Sequence, residues 1–278
     1  MKTILLCLAL ACATTPALPQ APSPKGTLVI MGGGDETPDI VAAVRASAGG
    51  QGGVLGIIPT ANDNPARSLK VWKEVFEKAG LATVPLDVRA REDASRPAML
   101  EAARGCTAFW FAGGDQVRIA LKIVGTPLQR LLLDKYRDGA GVGGSSAGAA
   151  MMSRIMLEGE DRFGKLELRE LGPGAYRTRE GMAFLPDHVI VDQHFLRRGR
   201  QNRLFSLVME HPGHLAIGID ENTALVVKDG KATVVGERAV MVFDPQGMTL
   251  KGETFRNLAI HLLRAGEGID LTTRKLFP

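Results

Sequence analysis

The sequence predicts an α/β fold with a doubly wound, mostly parallel sheet and an antiparallel β extension toward its C-terminal end. Three observations carry that expectation. Several short runs are apolar on both faces and stop at glycine, as strands buried on both sides do. Amphipathic stretches lie between them and supply crossover helices for both faces of a sheet. The last third then changes to short β runs joined by tight turns.

The chain of 278 residues opens on MKTILLCLALACATTPALPQAPSPKG. Lys2 followed by the apolar run Ile4 to Ala13 reads as a signal peptide over residues 1–21, too short to span a bilayer. Small-residue cleavage patterns lie at Ala11-Cys12-Ala13 and Pro19-Gln20-Ala21. Lipidation of Cys12 is disfavoured because Ala9 stands where a lipoprotein signal usually has Leu. The expected location is secreted or periplasmic. Residues 22–278 read as a single domain, since no linker divides them.

The apolar runs are Thr27–Met31, ending in three glycines, Val54–Pro59, Thr83–Val88, and Thr107–Phe111, ending in Ala112-Gly113-Gly114-Asp115. Between them, Pro65–Ala79 carries Leu69, Trp72, Val75, Phe76 and Ala79 on one helical stripe, with Gly80 as a C-cap. Gln116–Val124 and Pro127–Tyr136 also read as helices. Later come the β runs Leu215–Ile219, Thr223–Val227, Ala232–Val235 and Ala239–Phe243, with an Asp229-Gly230 hairpin turn. A last helix is expected over Thr254–Arg264, carrying His261.

Composition excludes several classes. Hydrophobic residues at 45% and charged residues at 23% exclude a disordered chain. A net charge of +4 and only two Tyr and two Trp give little footing for nucleic acid. Once the leader is set aside, Cys106 stands alone, so no intrachain disulfide is expected. The five histidines lack metal-ligand spacing such as H-E-x-x-H, so no metal is expected.

The most informative stretch is Gly144-Ser145-Ser146-Ala147-Gly148, a G-x-S-x-G pattern after an apolar strand residue. A strand turning sharply into a helix strains its corner residue and exposes the corner side chain at the strand's end. The amide of Ala147 then points into the same space, where an oxyanion would form. A purely structural turn or a phosphate-binding turn would use similar glycines, but no Lys follows as a P-loop requires. A serine nucleophile needs a base. His194 follows the apolar run Val189–Val191 inside a polar cluster of Asp192, Gln193, Arg198, Arg200 and Arg203. In an open α/β sheet, sites lie at the carboxyl ends of strands, which places His194 with Ser146. His211 and His214 flank Pro212-Gly213 and read as surface residues.

Three stretches, Gly113-Gly114-Asp115-Gln116, Gly144–Ala149 and Asp192–Arg203, together resemble the cyanophycinases of peptidase family S51, which also holds aspartyl dipeptidase. The resemblance runs from about Gly26 to Phe243 and includes Gly218-Ile219-Asp220-Glu221. It implies a three-layer α/β/α fold like that of class I glutamine amidotransferases. It implies Ser146 as nucleophile, His194 as base, and the amides of Gly114 and Ala147 as oxyanion hole. It further implies substrate contacts from Gln116, Asp192, Gln193, Arg198, Arg200 and Arg203. An acid is expected in the loop between Ser146 and His194, with Glu160 first and Asp161 next.

The substrate implied is cyanophycin, a poly-aspartate whose β-carboxyls carry arginine. The products would be β-Asp-Arg dipeptides, released through an acyl-enzyme with no cofactor. No membrane span or nucleic-acid partner is expected, and a homodimer is. Two alternatives stay open: a related peptidase acting on small aspartyl peptides, and an inactive binding protein on the same fold. A lipase-like α/β-hydrolase is disfavoured because no HGGG-type oxyanion motif is present.

Overall fold

The computed structural model describes residues 23–161 and 170–278, without the side chains of residues 160 and 161. The signal peptide expected at 1–21 lies outside the described residues. The first half of the chain alternates strand and helix: β1 (Leu28–Met31), α1 (Pro38–Ser47), β2 (Val54–Ile58), α2 (Pro65–Lys78), β3 (Ala82–Pro85), α3 (Pro97–Arg104), β4 (Ala108–Phe111), α4 (Gln116–Ile123), α5 (Pro127–Asp138), β5 (Gly141–Ser145) and α6 (Ala147–Ala150). There follow β6 (Ile155–Asp161), β7 (Tyr176–Glu180), β8 (Val189–Asp192), α7 (Gln201–Glu210), β9 (Leu215–Ile219), β10 (Thr223–Lys228), β11 (Lys231–Gly236) and β12 (Val240–Asp244). The tail adds β13 (Thr249–Lys251), β14 (Thr254–Arg256), β15 (Ala259–Leu263), β16 (Gly268–Asp270) and β17 (Leu276–Phe277).

The main sheet has nine strands in the order β17-β16-β11-β10-β1-β5-β4-β2-β3. Its β1-β5-β4-β2-β3 block is parallel, and β10 pairs antiparallel to β1. Side chains alternate faces along a strand, and the core divides accordingly. Val29, Met31, Leu55, Ile57 and Trp110 pack with Ile40 and Val44 of α1 and Phe76 of α2. Leu28, Ile30, Ile58, Phe109 and Phe111 face Ile119, Leu128 and Leu132 of α4 and α5. The helices start at their prolines, at the first helical position of α1, α2 and α5, behind the capping side chains of Thr37, Asn64 and Thr126.

A second sheet of four strands runs β15-β12-β9-β8, with β8 parallel to β9. One face, through Val189, Val191, Ile217 and Val242, joins the same core as α4 and α5. The other, through Ile190, Ala216 and Phe243, packs on Leu204, Leu207 and Val208 of α7.

Two expectations need correction. The late β runs do not form one extension. β10 and β11 join the main sheet, whereas β9 and β12 belong to the second. The helix expected over Thr254–Arg264 is instead β14 and β15. The physical reason is the open edge of β12, which β15 covers from Val240↔Leu263 to Asp244↔Ala259.

Candidate active site

The carboxyl ends of strands from both sheets meet at Ser146. Its backbone, at φ 54° and ψ −108°, lies in a region that L-residues seldom occupy. The turn is tight enough that a Cβ on Gly144 would come 2.6 Å from the Gly148 carbonyl oxygen, and one on Gly148 2.2 Å from that of Phe111. This is the steric reason for the two glycines of G-x-S-x-G. The Ser146 amide donates to the Met31 carbonyl at 3.0 Å, tying the corner to β1.

From the second sheet, β8 ends at Asp192 and delivers His194, itself at φ 48°. Its Nε2 lies 2.8 Å from Ser146 Oγ, and its Nδ1 lies 2.7 Å from Glu221 Oε1. A carboxylate only accepts, so Nδ1 carries the proton and Nε2 accepts from the serine hydroxyl. Burial lowers the His194 pKa below the ordinary imidazole value, and the nearby Arg198 and Arg200 act in the same direction. The hydrogen bond to Glu221 opposes them, but the imidazole is left neutral at neutral pH. Burial pushes the Glu221 carboxyl up, yet the bond from His194, the charge that ring takes on at acid pH, and the charges of Arg198 and Arg197 hold it below its ordinary value. Gln193 Oε1 stands 3.3 Å from Ser146 Oγ. The hydroxyl has one proton, so with that proton on the His194 bond the Gln193 amide serves Oγ only with its N–H end turned inward.

Glu221 is the carboxylate on His194 Nδ1, and sequence reasoning missed it. The side chains of Glu160 and Asp161, expected there, lie outside the described residues, and the Nδ1 position is already taken. The acid was expected between Ser146 and His194, whereas Glu221 follows His194 in the chain. Because β8 and β9 are parallel neighbours, with Asp192 opposite Gly218, the residues just past their ends sit side by side. The Gly218-Ile219-Asp220-Glu221 stretch was the available signal.

The polar cluster after β8 divides in two. Asp192 and Arg203 are fully buried and paired, with Nε–Oδ2 at 2.9 Å and Nη2–Oδ1 at 3.2 Å. Arg203 also donates to the Glu158 and Gly159 carbonyls, and Gln116 Nε2 donates to the Leu157 carbonyl at 2.7 Å. Of these three side chains, all expected to touch substrate, Arg203 and Gln116 bond the carbonyls of β6, while Asp192 accepts from the Gln193 amide and from the guanidiniums of Arg203 and Arg200. Arg200 is buried too, bonded to the Gln193 carbonyl at 2.8 Å, and burial lowers its pKa to about 10. Arg198 is exposed and has no ion-pair partner among the described residues.

The Gly113–Gly114 turn adjoins Ser146, since a Cβ on Gly113 would lie 3.4 Å from Ser146 Cβ. Ala147 opens α6, so its N–H is one that a helix leaves without an internal partner. Because α6 is a single turn of four residues, individual N–H groups rather than a long helix dipole supply positive potential here.

Residues 28–235 match the profile of Peptidase family S51. The chain belongs to peptidase family S51. Its S51 relatives include the cyanophycinase of Trichormus variabilis, 33% identical over 269 residues that make up 91% of this chain and 88% of that protein. The cyanophycinase of Geminocystis herdmanii is 31% identical over 90% of this chain and 96% of its own length. Among solved structures, a peptidase from an acI-B1 actinobacterium superposes with a TM-score of 0.67 at 25% identity, covering 88% of this chain and 96% of its own. A putative peptidase E from Listeria monocytogenes is alike in fold, with a TM-score of 0.50 over 76% of this chain and 98% of its own at 15% identity. This S51 member is thus a serine-type peptidase, a hydrolase, on the class I glutamine amidotransferase-like fold.

Proposed function

We propose that the chain hydrolyses cyanophycin to β-Asp-Arg dipeptides, with Ser146 as nucleophile, His194 as base and Glu221 as the acid that orients it. The supporting observation is the continuous relay Ser146 Oγ–His194 Nε2 at 2.8 Å and His194 Nδ1–Glu221 Oε1 at 2.7 Å, set on a strained elbow. Neutral His194 takes the Oγ proton as Oγ attacks the backbone carbonyl between two modified aspartates. The amides of Gly114 and Ala147 receive the developing oxyanion. Glu221 stabilises the imidazolium, which then protonates the leaving amine, and water hydrolyses the acyl-enzyme by the reverse path. Exposed Arg198 beside His194 is the side chain placed to take a carboxylate of the substrate.

The cyanophycinases among the relatives, at about one third identity over nine-tenths of the chain, favour this substrate. Incubation with purified cyanophycin should release β-Asp-Arg, identified by mass, and Ser146→Ala should release none. Cleavage of α-Asp dipeptides without any release from the polymer would sink the substrate reading and keep the mechanism. Failure to label with an active-site fluorophosphonate would sink both and favour a binding protein. Export through the leader at 1–21 and a homodimer belong to the same proposal. Cell fractionation and light scattering test them.

A further inference from the structure

The loops after β2 and β3, together with α4, line an open cavity of about 400 Å³. It lies at the carboxyl edge of the main sheet, the edge that presents Ser146, because β2, β4 and β5 are parallel. One hydrogen bond links the lining of the cavity to the turn beside Ser146. Asn62, which lines the cavity, donates its Nδ2 to the Gly113 carbonyl at 3.2 Å, and Gly113 adjoins Ser146.

Two independent features mark the cavity as built for a ligand. Thr60 lines it and is 2% exposed, yet its Oγ1 has no hydrogen-bond partner among the described residues. Buried hydroxyls are normally partnered. The second feature is charge. Arg89, Arg118 and Lys122 line the space against Asp63. Arg118 pairs with Asp63 and Arg89 with Asp87, whereas Lys122 has no ion-pair partner among the described residues. The lining therefore offers a surplus of cations, a hydroxyl and one exposed carboxylate.

We propose that this cavity is a substrate subsite that holds an outlying repeat unit of the polymer. It takes that unit's free α-carboxylate on Lys122, Arg118 and the Thr60 hydroxyl, and its guanidinium on Asp63. The proposal rests on the cyanophycin reading above. Strands β5 and β2 are separated by β4, so the subsite is about 10 Å from the nucleophile across the sheet. An extended backbone covers about 3.3–3.6 Å per residue. The unit bound is thus the second or third from the scissile bond, beyond the reach of a two-unit substrate.

The test compares Thr60→Val and Lys122→Glu with the parent protein on a two-unit oligomer, (β-Asp-Arg)₂, and on an oligomer of eight units. Both variants should raise KM for the long oligomer about tenfold, leave its kcat unchanged, and leave kcat/KM for the short one unchanged. Lys122→Arg should behave as the parent. Equal effects on both lengths, or no effect on either while the parent cleaves both, overturn the subsite and leave the substrate reading standing. A parent protein that neither cleaves nor binds either oligomer overturns the substrate reading, and the subsite with it. Lys122 is a partly exposed side chain, so its variant reports on the site even where Thr60→Val lowers Tm.

Discussion

The imidazole of His194 lies against the backbone of Gly33: a Cβ at residue 33 would come 2.2 Å from Cε1 and 2.5 Å from Nε2. Gly33 stands at φ 109°, in the turn after β1, and its carbonyl accepts from the amide of Asn222, the residue after Glu221. The glycine and the acid loop are therefore one assembly that holds the ring between Ser146 and Glu221.

Gly33→Ala should accordingly displace the ring. A misplacement of about 1 Å costs on the order of a hundredfold in rate. The expected result is a fall in kcat of at least that size, read by steady-state assay on the polymer. An alanine variant with parental kcat would mean that the ring has room the structure does not give it.

Glu221→Gln should lower kcat by roughly 10⁴-fold, the size seen when a serine protease acid becomes an amide. Its pH profile adds an independent sign. The acid limb of kcat/KM in the parent should lie below the ordinary imidazole pKa, because burial disfavours the charged ring. Removing the carboxylate deletes the contribution that raises that pKa, so the limb should move further down. An upward move would mean that Glu221 does not stabilise the imidazolium.

The arginine cluster should separate by stability. Arg203→Ala takes the nearer of two guanidiniums from buried Asp192 and leaves only Arg200 at 3.5 Å, which should cost about 3 kcal/mol in denaturant unfolding. Arg198→Ala, at an exposed side chain, should change stability by less than about 0.5 kcal/mol. The same variant should lower kcat/KM by about ten- to a hundredfold through a lost charge-assisted hydrogen bond. Similar unfolding midpoints for the two variants would contradict the division.

Strain at the elbow is measurable. A non-glycine residue in a sparsely populated φ/ψ region costs about 1–3 kcal/mol. Ser146→Gly should therefore be more stable than Ser146→Ala by about 1 kcal/mol or more, although both are inactive. Equal Tm values would place the backbone outside the strained region.

Much of this was legible in the sequence, for identifiable reasons. The parallel strands were readable because burial on both faces leaves continuous apolar runs such as Ala108–Phe111. Ser146 was readable because steric closeness at the elbow demands glycine at 144 and 148. Glu221 was not, because what brings it to His194 is the pairing of β8 with β9, a relation absent from local pattern. The burial of Arg203 against Asp192 was not legible, because a charged cluster reads the same in sequence whether its members face a ligand or one another. The tail failed because the apolar residues of Ala259–Leu263 fit either period, and only the free edge of β12 decides between them.

The groups proposed for catalysis are divided between the two sheets: Ser146 follows a strand of the nine-stranded sheet, while His194 and Glu221 follow strands of the four-stranded one. A displacement of either layer by an ångström breaks the relay while every strand keeps its own ladder. Heat should thus silence turnover several degrees before far-ultraviolet dichroism registers any melting, and cooling from that interval should return full activity. The peptidase carries a built-in gauge of how well its two layers are seated, and its rate is the reading.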